Sequence, residues 1–191
     1  MSQFIKQLKP AFEEAALPVV KLLNRVGITP NILTFLGVVF VGIASFFIYK
    51  GEFIKGGVIL LLGNLCDALD GILARKFNLN SKFGAFFDSL TDRISDFLPI
   101  ISLGLYFREN EYILMLSAFA VLFSFLVSYA RARAEGLGIN CNVGIMERTE
   151  RSAVLILSLL TNLPVAGLVI ITAGAAITTI QRIFYVYKNS N

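Results

Sequence analysis

A chain of 191 residues has room for one domain, and 56% hydrophobic against 16% charged residues departs from a soluble globular composition toward a lipid-facing surface. The net charge of +4 does not point to nucleic acid, because the basic residues lie between apolar runs. Histidine is absent, which excludes the commonest general base and the commonest zinc ligand.

In chain order, residues 1–26 place Phe4, Ile5, Leu8, Phe12, Ala16, Val19, Val20 and Leu23 at helical spacing. Lys6, Lys9, Lys21 and Arg25 lie among them, and Pro10 and Pro18 interrupt the run. No small-residue cleavage site follows an apolar core, so the segment reads as an amphipathic helix in the membrane interface rather than a signal peptide. Thr29-Pro30 is a helix start, with Thr as cap and Pro at the first helical position. The uncharged run 32–49 is long enough to cross the hydrocarbon core, which takes about 20 helical residues. Gly51 ends it. Further spans follow at 53–77, 83–107 and 111–130, and 147–187 holds two more helices broken near Asn162-Leu163-Pro164. The first of those two is uncharged only over 152–162, and a short buried helix is its other reading. The expectation is an all-α, polytopic integral membrane protein of six transmembrane helices preceded by an N-terminal amphipathic interfacial helix. It forms a single domain over 1–191, with the interfacial helix in 1–26 and the six-helix bundle in 31–188.

Lysine and arginine set the topology. With a cytoplasmic N-terminus, thirteen of the seventeen basic residues fall on the cytoplasmic side, three (Lys50, Lys55, Arg108) outside, and Arg93 within the third span. Both termini are therefore expected inside, in a multi-pass protein of the cytoplasmic (inner) membrane. No internal repeat supports an inverted-repeat transporter. Cys66 lies in an apolar run and Cys141 in a polar loop, resembling neither a disulfide framework nor a metal knuckle.

Asp67, Asp70, Asp88, Asp92 and Asp96 all fall inside predicted membrane helices, where a carboxylate costs at least a few kcal/mol. Asp67, Asp70, Gly71 and Ala74 share an arc of roughly 100° on the second span, and Gly84, Asp88 and Asp92 recur at i+4 on the third. Counted from the connecting cytoplasmic loop at about 1.5 Å per residue, Asp70 and Asp88 lie about 9 Å deep, with Asp67 and Asp92 a turn further. The four carboxylates thus form one layer on adjacent antiparallel helices, and so many anions together need cations. All-oxygen ligation suits Mg²⁺ or Mn²⁺, and four carboxylates suffice for two ions, an arrangement that serves displacement at phosphorus. Small residues on the same faces leave space for a ligand, and Arg75 at the rim suits phosphate oxygens.

The run Asp67-Ala-Leu-Asp70-Gly71-Ile-Leu-Ala74-Arg75, followed by Gly84, Asp88 and Asp92 at their spacings, resembles the CDP-alcohol phosphotransferase signature at every fixed position. The six-helix layout and the Thr29-Pro30-Asn31 start of the first span extend that resemblance over nearly the whole chain. It implies transfer of a phosphatidyl-type group from a CDP-alcohol, CDP-diacylglycerol above all, to an acceptor hydroxyl with release of CMP. Asp67, Asp70 and Asp88 are then metal ligands, Asp92 is ligand and general base, and Asn31, Gly71, Ala74, Arg75 and Gly84 hold the CDP group. A homodimer among membrane lipids, with the active site facing the cytoplasm, is implied by the same resemblance.

The acceptor half rests on the loop Ser128-Tyr-Ala-Arg131-Ala-Arg133, with Arg148, Arg151 and Arg182 on the same side. Positive-inside topology with anionic headgroup contacts accounts for these arginines, and so does a pocket for a phosphate dianion. The loop is similar to that of phosphatidylinositol-phosphate and archaetidylinositol-phosphate synthases, which implies a small phosphorylated polyol, inositol 1-phosphate, bound by Ser128, Arg131, Arg133, Arg148 and Arg151. Arg182 joins this acceptor pocket because it faces the same side. Glycerol 3-phosphate, as in phosphatidylglycerol-phosphate synthases, is the alternative acceptor. An ion or proton transporter built on a carboxylate ladder would not require Gly71, Ala74, Arg75 and Gly84 at these offsets. An intramembrane prenyltransferase needs a second Asp-x-x-Asp motif and a longer chain, and a non-catalytic scaffold would not retain four such carboxylates. Asp96, one turn beyond Asp92, is open between pairing with a buried arginine and supporting a ligand.

Overall fold

The computed structural model describes the backbone of residues 3–190 and the side chains of residues 10–190. Among the described residues the chain forms seven helices: α1 (Gln3–Arg25), α2 (Pro30–Tyr49), α3 (Phe53–Lys76), α4 (Lys82–Tyr106), α5 (Glu111–Glu135), α6 (Arg148–Leu160) and α7 (Pro164–Asn189). Local chemistry sets their ends. Thr29 accepts from the Ile32 amide at 3.4 Å with Pro30 in the first turn, and Ser81 accepts from the Gly84 amide at 2.9 Å. Gly51 and Asn78 take positive φ in the α2–α3 and α3–α4 turns. The expected break between α6 and α7 lies at Asn162, whose φ is +57°, with Pro164 opening the next helix.

Two helices differ from expectation. α1 runs unbroken through Pro10 and Pro18. Both prolines lie on its exposed side, so the carbonyl that Pro18 leaves without a helical donor, that of Glu14, is also on an exposed residue. Phe4, Ile5, Lys6, Leu8 and Lys9, part of the amphipathic pattern, have side chains outside the described residues. α5 continues five residues past 130 and carries Arg131 and Arg133 on its last turns.

Among the described residues, four helices are long and apolar enough to cross a membrane: α2, α3, α5 and α7. α4 has the length, 25 residues, but its acidic residues lower its hydropathy, and α6 has only 13 residues. The fold is thus an all-helical membrane architecture, with many large apolar side chains, such as Phe35, Phe46, Ile54 and Ile183, facing outward.

Packing positions the polar layer. α2 lies against α3 and α4, α5 against α4 and α7, and α6 bridges α3 and α7. The α2–α3 contact depends on two glycines: a Cβ at Gly37 would lie 3.1 Å from the Gly63 carbonyl oxygen, and one at Gly63 would lie 3.0 Å from that of Gly37. Only helices without side chains at that crossing approach so closely. The main apolar core joins Val41, Ile48, Leu60, Leu103, Leu159 and Ile171. A second, smaller core docks α1 through Ala16 and Val20 onto Leu33, Ile72 and Leu73. The acidic residues of α3 and α4 lie between the two.

Candidate active site

Asp67 and Asp70 lie one turn apart on α3, and Asp88 and Asp92 one turn apart on α4. Asp67, Asp70 and Asp88 each present a ligand oxygen within 4.8 Å of the others. Asp70, 6% exposed, accepts a hydrogen bond from the Thr34 hydroxyl at 2.5 Å. The donor set fits a hard divalent cation: it is all oxygen, it is anionic, and a neighbouring helix fixes one member's rotamer. Asp92 joins the layer through Arg148, whose Nη1 lies 2.9 Å from Asp67 Oδ2 and 2.7 Å from Asp92 Oδ1. Arg148 Nη2 also donates to Asp67 Oδ1 at 3.1 Å, completing a two-pronged contact with that carboxylate. Arg93 stands 3.6 Å from Asp92 on the same helix.

Beside the cluster a cleft of about 230 Å³ is lined by Asn31, Thr34, Asp70, Gly71, Ala74, Arg75, Gly84 and Asp88, among others. Every residue expected to hold the CDP group borders it. The glycines keep it open. A Cβ at Gly84 would lie 3.1 Å from Asn31 Oδ1, and one at Gly71 would lie 3.1 Å from Arg75 Nη1. Arg75 is itself half-exposed and donates to Glu13 of α1 at 2.8 Å, so the N-terminal helix touches the rim of the cleft.

The six residues expected around an acceptor phosphate do not gather in one place. Ser128 and Arg131 are half-buried and Arg133 is exposed at the end of α5. Arg131 pairs with Glu135 at 2.9 Å and lies 3.9 Å from Glu147. Arg148 faces the carboxylate layer. Arg151 and Arg182, by contrast, are each 2% exposed and already committed. Arg151 pairs with Asp96 at 2.6 Å and donates to the Met146 carbonyl at 3.3 Å. Arg182 donates to the carbonyls of Val143 and Val127, tying α7 to the 136–147 loop and to α5. Each guanidinium is thus enclosed and already hydrogen-bonded to the fold around it. Asp96, for which the sequence leaves two roles open, is thereby accounted for. Thr34 and Glu13 are two site neighbours that sequence reasoning missed. Thr34 carried a signal, since it lies three residues after Asn31 on the same helical face.

These elements define a helical membrane protein with an acidic, cation-competent layer beside a cleft of about 230 Å³. The model of the CDP-alcohol phosphatidyltransferase family matches residues 27–181, and the chain belongs to that family. It is 37% identical over 187 residues to the archaetidylinositol phosphate synthase of Pyrococcus horikoshii, covering 96% of this chain and 97% of that one. It superposes with a TM-score of 0.82 and 26% identity on the phosphatidylinositol phosphate synthase of Mycobacterium tuberculosis with CDP-DAG bound, over 89% of this chain and 92% of the other. The same Mycobacterium protein in complex with manganese and citrate superposes equally well, with a TM-score of 0.82 and 26% identity over 89% of this chain and 88% of that one.

Proposed function

We propose that this chain transfers a phosphatidyl group from CDP-diacylglycerol to a hydroxyl of inositol 1-phosphate, releasing CMP. The observation that carries the reading is the junction of the Asp67, Asp70 and Asp88 oxygens with the cleft bordered by Asn31, Gly71, Ala74, Arg75 and Gly84. The names of the relatives, phosphatidylinositol and archaetidylinositol phosphate synthases, supply the acceptor.

In this reading Asp67, Asp70, Asp88 and Asp92 hold two Mg²⁺ or Mn²⁺ ions. Bound there, such ions supply charge neutralisation for the pyrophosphate and its leaving phosphate. Thr34 holds Asp70 in one rotamer through its hydrogen bond. Arg75 at the rim orients phosphate oxygens. Asp92 takes the proton from the acceptor hydroxyl as the new oxygen–phosphorus bond forms and the bond to CMP breaks. Ser128, Arg131, Arg133 and Arg148 receive the acceptor's phosphate, while Arg151 and Arg182 brace the helices behind them.

The whole chain acts as one domain, with α1 in the interface and α2 to α7 forming the bundle. α4 crosses despite its charges because Asp92 and Asp96 turn inward onto Arg148 and Arg151. Both termini and the site face the cytoplasm at the inner membrane, and two copies form the working homodimer. The test is CMP release by the purified protein from labelled CDP-diacylglycerol, offered in turn inositol 1-phosphate, glycerol 3-phosphate, serine and inositol. Inositol 1-phosphate is expected to be preferred, with activity lost in EDTA and restored by Mg²⁺ or Mn²⁺. Preference for an uncharged acceptor overturns the phosphate pocket.

A further inference from the structure

Asp67 belongs to two clusters at once. It offers an oxygen to the group it forms with Asp70 and Asp88, and yet both its oxygens accept from Arg148, at 2.9 and 3.1 Å. The same guanidinium reaches Asp92 at 2.7 Å, so it spans one carboxylate on α3 and one on α4. A divalent cation placed on either carboxylate meets a fixed positive charge a few ångströms away, a repulsion that a half-buried site screens weakly.

We infer that Arg148 and the divalent cations exchange for Asp67 and Asp92, so that cation loading frees the guanidinium for the acceptor's phosphate. The inference rests on the reading of those two carboxylates as cation ligands. Arg148 is then a positioning residue with two partners in succession, the acidic layer first and the phosphorylated acceptor second.

Local structure allows the movement. Arg148 is the first residue of α6 and follows the 136–147 loop, so its long side chain can swing without disturbing a packed helix interior. It borders a groove of about 620 Å³ together with Asn64, Asp67, Ala68, Thr149 and Ser152, which gives the side chain space on leaving Asp67. Arg151, one turn on, has no such freedom: it is sealed against Asp96, which lies outside the three-carboxylate cluster. A freed guanidinium needs a new anion, and a phosphate dianion accepts from it in two-pronged geometry. Cation and acceptor therefore favour each other's binding, and the factor is the same in both directions.

The test needs no turnover. Free Mn²⁺ is followed by electron paramagnetic resonance during titration of the purified full-length protein without CDP donor, with and without inositol 1-phosphate or glycerol 3-phosphate. Binding of Mn²⁺ by the phosphate itself is subtracted in a protein-free control. Either acceptor is expected to tighten Mn²⁺ binding by roughly five- to ten-fold in the wild type and to leave Arg148→Gln unaffected. Arg148→Lys keeps the charge but lacks the planar fork, so it is expected to bind Mn²⁺ more tightly than the wild type. Wild-type Mn²⁺ affinity indifferent to both phosphorylated acceptors overturns the exchange, as does Arg148→Lys binding Mn²⁺ no better than wild type. If the variants do not fold, the wild-type measurement decides alone. A protein that releases CMP from CDP-diacylglycerol without this linkage refutes the exchange and leaves the proposed function standing.

Discussion

The pair formed by Arg151 and Asp96 joins α6 to α4 immediately behind the site, and it can be tested without reference to catalysis. Its atoms lie 2.6 Å apart and the two side chains are 2% and 6% exposed, so neither charge has water to fall back on. Removing one partner of such a pair leaves an uncompensated buried charge, at a cost of about 3–5 kcal/mol. For a chain of this length each kcal/mol moves the unfolding midpoint by roughly 2–4 °C. Arg151→Met is therefore expected to lower the midpoint in detergent by about 6–20 °C, and Asp96→Leu to do much the same. The double variant removes both charges and is expected to recover most of that loss. With no tryptophan in the chain, a thiol-reactive fluorophore is the suitable probe. Cys141 is fully buried and free, and reports on opening of the fold. A single substitution that shifts the midpoint by less than about 2 °C, or a double variant no more stable than the weaker single, refutes the reasoning.

Four further outcomes are expected. Thr34→Val removes the donor to buried Asp70 and is expected to cut the rate of CMP release about ten-fold and to lower stability by about 1–3 kcal/mol, as read by steady-state kinetics beside the thiol assay. Asp92→Asn is expected to abolish turnover while sparing CDP-diacylglycerol binding, measured by retention of labelled donor; retained activity removes Asp92 from its role as base. Gly63→Val forces a branched side chain against the Gly37 carbonyl and is expected to cost about 1–3 kcal/mol or more in stability, seen as a lowered midpoint. Glu13→Gln breaks an exposed pair and is expected to leave stability within about 0.5 kcal/mol while changing KM for the CDP donor, since Arg75 loses its tether at the rim.

Much of the site was legible because it depends on helical periodicity. The offsets among Asp67, Asp70, Asp88 and Asp92 place them on facing arcs by helical geometry alone, and Gly71, Ala74 and Gly84 follow from the same geometry. The Asn162–Pro164 break was equally readable, because proline opening a helix is a local matter. The arginines were not. Arg148, Arg151 and Arg182 look alike in sequence, and only tertiary contacts separate the one on the acidic layer from the two sealed against Asp96 and against backbone carbonyls. The continuity of α1 through Pro10 and Pro18 was hidden for a related reason. The cost of a helical proline depends on whether the orphaned carbonyl is enclosed, and that is a property of the fold.

The brevity of α6 changes what the bilayer meets at this protein. Thirteen helical residues rise about 20 Å, against about 30 Å of hydrocarbon. In the proposed orientation α6 leaves a notch of roughly 10 Å in the wall of the bundle, with Arg148 at its floor. In that orientation the notch would lead water and dissolved phosphate to Arg148, beside the groove of about 620 Å³ lined by α3 and α6. A short helix beside the acidic layer would thus let a dissolved acceptor reach those carboxylates without crossing hydrocarbon.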